Sequence, residues 1–267
     1  MATPNDVVNV ISGGSTGAAR IQRVVIRGIF VVTGCLAVAW GLDVLPLLAN
    51  QAAIEHVAND VIRGRAFKPE ALSALTPQLE AAEGAILCRG AGLHSAAVIR
   101  LRLVEQAIAD DENFDVPLDR LNRTIRLSLA CSPDDPFLWA VYYWAQSAQY
   151  GFRLDDLAYL RLSYQLGPHE AWIALKRSSF AFAIFQELPP DLADKVVNEF
   201  VDLLQTGFVS DAVRIFTGPA WPERAVLLSR IGGVRQDFRE YFARELDQKG
   251  YDVDVPGVAR RDPRPWD

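Results

Sequence analysis

Two arginines at one repeated position are the residues of this chain best placed to do chemistry. Arg126 stands in Ile125-Arg126-Leu127-Ser128-Leu129, and Arg161 stands 35 residues later in Leu160-Arg161-Leu162-Ser163-Tyr164. A guanidinium group reads a carboxylate or phosphate through two parallel hydrogen bonds. If the shared position faces one surface, the pair would hold an anionic group of a partner; the plainer alternative is two solvated arginines. The acidic pairs Asp134-Asp135 and Asp155-Asp156 lie at expected helix starts, where carboxylates complement the positive end of the helix dipole rather than act as general acids. His56, His94 and His169 are scattered without carboxylate motifs beside them and read as surface or packing residues. Of three cysteines, Cys35 lies in an apolar run. Cys88 and Cys131 are then either two buried thiols or one disulfide, and their spacing is neither C-x-x-C nor a zinc pattern.

No nucleophile elbow, H-E-x-x-H, P-loop or dinucleotide fingerprint occurs in the sequence. Ser12-Gly13-Gly14-Ser15 is glycine-rich but opens no strand–helix unit, so it reads as a flexible tail. The expectation is a protein that is not an enzyme, needs no cofactor or metal, and works by binding.

The elements that would position these residues are helices. Residues 51–61 are amphipathic, Pro69 opens a short helix to Glu80 that Pro77 splits, and residues 85–109 carry Leu93, Ala96, Ala97, Ile99, Leu103 and Ile108 at helical spacing. Leu118–Cys131 follows. Asp135 then reads as an N-cap with Pro136 at the first helical position, starting a helix to about Tyr150. Further helices fit 154–166, 170–187, 191–205, 211–216, 223–231 and 235–249, with Gly207, Gly218-Pro219, Gly232-Gly233 and Gly250 as stops. No window alternates with period two for long enough to argue a sheet, so the chain reads as all-α.

The two arginine segments belong to an internal repeat. Each ends a helix before a proline, at Ser132-Pro133 and Gly167-Pro168, and each is followed by a helix with an early tryptophan, Trp139 or Trp172. A closing proline, a small residue five positions before it and a bulky aromatic in the next helix resemble the tetratricopeptide repeat. The period is one residue longer than that family's usual thirty-four, and its Leu-Gly pair and first-helix tyrosine are not matched. The resemblance spans Leu118 to Glu187 and implies antiparallel helix pairs over residues 116–257, with 49–115 as linking helices and 258–267 as a flexible tail. A helix pair of this size cannot bury its own apolar face, so stacked neighbours must complete the core. Leu138, Trp139, Val141, Tyr142 and Trp144 cover more than one face of their helix, as a helix sandwiched between neighbours does.

Ahead of these helices lies an apolar stretch, Val24 to Leu48, with Arg20 and Arg23 before it, Arg27 one turn inside, where it can snorkel to the headgroups, and no charge from Gly28 to Leu42. A helix over Val24–Leu42 is about 28 Å long, close to the hydrocarbon thickness of a bilayer. The arginines would stay on the cytoplasmic side, making residues 1–23 a cytoplasmic tail, residues 24–48 a single-pass anchor in a bacterial inner membrane and the rest an exported, periplasmic region. Asp43 and Pro46 would mark its exit into water. A cleavable signal peptide shares this layout, and Ala37-Val38-Ala39 is an acceptable cleavage site. The long tail ahead of the arginines and the apolar run beyond that site favour an uncleaved anchor over it. A buried core helix is the third reading and fits poorly beside the arginine cluster.

Residues 1–27 carry three arginines against Asp6, so a whole-chain charge of −6 leaves −8 on residues 28–267. An acidic exported region argues against nucleic acid. The overall layout, with Leu166-Gly167-Pro168-His169-Glu170-Ala171-Trp172-Ile173-Ala174 and Gly250-Tyr251-Asp252-Val253-Asp254-Val255-Pro256-Gly257, is similar to membrane-anchored tetratricopeptide-like proteins associated with bacterial exopolysaccharide or O-antigen assembly. That resemblance implies a scaffold or adaptor with protein partners in an inner-membrane complex, bound through Arg126, Arg161, Trp139 and Trp172. The alternative is an accessory subunit that contacts its complex through the anchor, with Gly28, Gly34 and Gly41 lining a helix–helix interface. An enzyme acting on envelope material is a third class, for which no residues speak.

Overall fold

The computed structural model of the chain describes residues 15–85 and 88–259. Among them there are twelve α-helices joined by turns and short 3₁₀ segments, and no strand. The glycine-rich stretch up to residue 14 and the tail from residue 260 lie outside the described residues. Two compact units are present, Met1–Ala53 and Ile54–Asp267.

The helix α1 runs over Ser15–Ile62. Residues 15–23, expected as flexible tail, are helical from Ser15 on, and the helix does not stop at Asp43 or Pro46. An interior proline removes one backbone hydrogen bond but need not end a helix whose neighbouring turns continue the ladder. Its apolar part Val24–Leu42 is 19 residues long, apolar enough to cross a membrane, and none of it is buried. The buried-core reading of this stretch therefore does not hold.

From Ile54 onward the helices form one body. Pro69–Ser73 (α2) and Thr76–Glu83 (α3) are the two halves of the segment divided near Pro77, which sits in the first turn of α3. Then come Gly90–Ala109 (α4), Asp115–Cys131 (α5), Pro136–Tyr150 (α6), Leu157–Leu166 (α7), Ala171–Phe182 (α8) and Pro190–Gln205 (α9). Val209–Thr217 (α10), Arg224–Arg230 (α11) and Gln236–Gln248 (α12) complete the body. The start of α6 is built as expected: the Asp135 carboxylate accepts the Leu138 N–H at 3.0 Å, with Pro136 in the first turn. The α9 stop at Gly207 follows from backbone geometry. Gly207 has φ +90°, and the Phe208 and Gly207 amides donate to the Leu203 and Leu204 carbonyls, a closure that requires a left-handed residue. Gly250 (φ +80°) closes α12 in the same way.

Two apolar clusters hold the body. The first joins Ile54 and Ala58 of α1, Leu72, Leu79, the buried face of α4, and Leu121, Ile125, Leu138 and Val141 of α5 and α6. Residues 54–79, expected to link, thus supply core. The second joins Leu160 and Tyr164 to Phe182, Phe200, Phe216, Phe242 and Val255. Consecutive helices pack in turn: α4 on α5, α5 on α6, α6 on α7, α8 on α9, and α9 on α10, α11 and α12. Every second helix also meets the next of its kind, α4 with α6, α6 with α8 and α8 with α10. A disulfide from Cys88, just before α4, to Cys131, at the end of α5, has a Cα–Cα distance of 5.7 Å and resolves the cysteine alternatives in favour of pairing.

Candidate functional site

Side chains from every second helix converge on one groove of about 490 Å³. On α4 the lining residues are Val98, Leu101, Arg102 and Glu105, three and four apart and so on one face. On α8 they are Trp172, Leu175, Lys176, Ser179 and Phe180, with the same spacing. Phe137 opens α6 beneath them, Asp211 and Arg214 come from α10, and Val61, Ile62 and Arg65 come from the end of α1 and the turn after it. The volume lies within the range of clefts that hold a ligand or a few residues of peptide.

The groove has an aromatic wall and a charged rim. Phe137 is buried and lies 5.0 Å, centroid to centroid, from Trp172, which is 37% exposed. The ring of His94 packs 5.7 Å from Phe137, and its Nδ1 is 2.5 Å from Asp135 Oδ2. Asp135 therefore caps α6 with one oxygen and fixes a histidine behind the aromatic wall with the other. On the rim, Lys176 Nζ donates to Glu105 Oε1 at 2.6 Å, and Arg102 donates to Glu105 Oε2 at 3.2 Å. Two cations share one carboxylate. Arg65 pairs with Asp60 at 2.8 Å and Arg214 with Asp211 at 3.2 Å.

No protein family, curated protein or solved structure matches this chain.

Of the residues singled out from the sequence, Trp172 alone lines the groove. Trp139 lies in a separate aromatic cluster, stacked on Tyr159 at 5.8 Å, with its indole N–H donated to the Pro133 carbonyl at 2.7 Å. Arg161 pairs with Asp191, in the first turn of α9, through both terminal nitrogens. That pairing raises the Arg161 pKa and holds the Asp191 carboxyl below its ordinary range. Arg126 is exposed, so the two repeated arginines are in different environments. In α1, Gly28, Gly34 and Gly41 have open space where a Cβ would stand. At 100° per residue, Gly34 and Gly41 share a face, while Gly28 lies roughly 120° round the helix from Gly34. The three do not form one stripe.

The histidines are surface or packing residues as expected: His56 and His169 are exposed, and His94 packs on Phe137; each also has an aspartate nearby, His56 with Asp60 at 3.8 Å, His94 with Asp135, and His169 with Asp202 at 3.8 Å. Among the described residues no group of three His, Cys, Asp or Glu side chains is arranged to hold a metal ion. The rim residues Arg102, Glu105, Lys176 and Arg214 carried no sequence signal. Only their i, i+3 and i, i+4 spacing beside apolar residues of α4 and α8 hints at a shared face, and the facing partner on another helix cannot be read from a single segment.

Proposed function

We propose that this protein is a membrane-anchored adaptor whose helical body, a tetratricopeptide-like stack, binds a protein partner in its groove. The observation that carries the reading is the convergence of α4, α6, α8 and α10 on that groove. In a solenoid of helix pairs, one helix of each pair lines a shared surface, and bound segments lie along it. Packing between every second helix, together with pairing of consecutive ones, supports the same arrangement. The exposed apolar stretch Val24–Leu42, with Arg20 and Arg23 before it and Arg27 in its first turn, supports an anchor in a bacterial inner membrane, with the body on the far side. The Cys88–Cys131 disulfide supports an oxidising compartment for that body.

The two segments behind the likeness to polysaccharide-assembly proteins have structural work in this fold. Gly167 lies where a Cβ would meet the Pro136 ring, and Tyr251 packs 5.1 Å from Trp221.

A reporter fusion tests the anchored topology. Alkaline phosphatase joined after Asp267 should be active in the periplasm; activity only with fusions upstream of Arg20 reverses the orientation. Crosslinking in intact cells followed by detergent purification should then recover a stoichiometric membrane partner.

One observation favours a second reading, an accessory subunit that docks through its anchor: Gly34 and Gly41 lie open on one face of α1. Under that reading, Gly34→Ile with Gly41→Ile abolishes recovery of the partner while groove substitutions leave it intact.

A further inference from the structure

The groove's own chemistry narrows what occupies it. Its lining offers Trp172, Phe180 and the exposed Ile62 at the α1 end as apolar contacts. Its rim holds more cations than it neutralises, because Arg102 and Lys176 both converge on Glu105. One carboxylate balances one of those charges and leaves the other for an incoming anion. Both cations remain accessible, with side-chain exposures of 36% and 46%, and neither must leave a buried pair to turn toward a ligand. Arginine and lysine attract carboxylates here without the desolvation cost of a closed site, while the aromatic wall accepts one bulky apolar side chain.

We propose that the occupant is a short acidic segment of a protein partner. It places a Trp, Phe or Leu side chain against Trp172 and Phe180 and one or two carboxylates against Lys176 and Arg102. This rests on reading the body as a partner-binding adaptor and deepens it by naming the partner's chemistry. Because the attraction is between exposed charges, binding weakens as salt screens the rim, while the apolar contact persists.

The test is a selection of random twelve-residue peptides displayed on phage, against the full chain in detergent. A synthetic peptide from the enriched set is then measured by fluorescence anisotropy. The expected result is enrichment of peptides carrying Asp or Glu around a Trp, Phe or Leu. Affinity should fall at least tenfold in Arg102→Ala/Lys176→Ala, which leaves Glu105 bare and repulsive, and at least fivefold in Trp172→Ala. Arg102→Ala/Lys176→Ala should keep the parent's melting temperature, since both side chains are at least one-third exposed, while Trp172→Ala, which loses packing on Phe137, should melt somewhat lower but still fold. Enrichment of basic or uncharged peptides overturns the proposal, as does no enrichment, or binding indifferent to both variants. Binding of dihexanoyl phosphatidylglycerol below its micellar concentration, lost in Arg102→Ala/Lys176→Ala while acidic peptides do not compete, assigns the groove to lipid instead. A reversed fusion topology would sink the anchored-adaptor reading and leave this peptide preference to stand or fall by itself.

Discussion

Arg177 of α8 and Glu199 of α9 form an ion pair sealed from solvent, with side-chain exposures of 0% and 4%. Every guanidinium donor is used. Nε and Nη2 bind Glu199, Nη1 donates to the Ser163 carbonyl at 2.7 Å and to its hydroxyl at 3.0 Å, and Nη2 also donates to the Gly167 carbonyl at 2.9 Å. Glu199 in turn accepts the Tyr164 hydroxyl at 3.0 Å and the Ser178 hydroxyl at 3.1 Å, and the guanidinium lies 3.9 Å over the Tyr164 ring. One buried network therefore fastens the end of α7 to α8 and α9.

Removing one member of such a pair strands the other charge. Arg177→Met should destabilise the body by about 3–5 kcal/mol, because Glu199 stays buried without its cation. The double change Arg177→Met/Glu199→Met should cost clearly less than the sum of the two single changes. Urea unfolding of the four proteins measures this directly, and additive losses would mean the network is not coupled.

The same network sets a pH dependence. Burial, reinforced by the charge of Glu199, pushes the Tyr164 hydroxyl well above its ordinary range. A group whose folded pKa is raised contributes stability that is complete below its unfolded value, about 10, and lost as pH rises beyond it. The urea midpoint should therefore fall above about pH 10, and Tyr164→Phe should flatten that fall while lowering the midpoint at neutral pH. An identical alkaline slope in the variant would show that Tyr164 does not control it.

How much of this was legible in the sequence depended on distance along the chain. The α6 start, the stops at Gly207 and Gly250 and the break near Pro77 are local backbone chemistry, and they stand where the residues put them. Trp172 was visible as an aromatic at a repeat position. Its place in the groove was not, because the groove brings Glu105 and Lys176, 71 residues apart, together. Arg177 looked like one arginine among 23, since nothing in its own segment points to Glu199. The repeated arginines differ in surroundings for a related reason: an acidic residue, Asp191, faces Arg161 from α9, and equal sequence positions do not guarantee equal neighbours.

Gly167 marks a close approach at the α7–α8 junction. A Cβ there would stand 2.7 Å from Cγ and 2.8 Å from Cβ of Pro136, so the proline ring or the α7 end must shift. Gly167→Ala should cost about 1–3 kcal/mol by overpacking. Its backbone is in an ordinary region, at φ −137°, so the loss reports packing rather than strain. A thermal melt unchanged from the parent would place the two helix ends further apart.

The disulfide makes a countable prediction. Denatured, unreduced protein should show one reactive thiol, Cys35, and three after reduction. Closing a loop between residues 43 apart should contribute about 2–4 kcal/mol, so Cys88→Ser/Cys131→Ser should unfold at distinctly lower urea. Three reactive thiols before reduction would remove the bridge, and with it one support for an exported body.

The repeated arginines and the groove tryptophan separate two ideas of where a partner binds. Arg161 is engaged with an exposed aspartate and Arg126 is exposed, so replacing both by alanine should change stability by only about 0–1 kcal/mol. Neither lines the groove, and peptide capture by Arg126→Ala/Arg161→Ala should equal that of the parent. Trp172→Ala removes the exposed part of the aromatic wall together with its packing on Phe137, so capture should drop with a modest loss of stability and a retained fold. Anisotropy and melting curves on the two variants distinguish the sites. If the arginine double variant loses capture while Trp172→Ala retains it, the binding surface lies along α5 and α7, and the groove between α4 and α8 is only a fold in the surface.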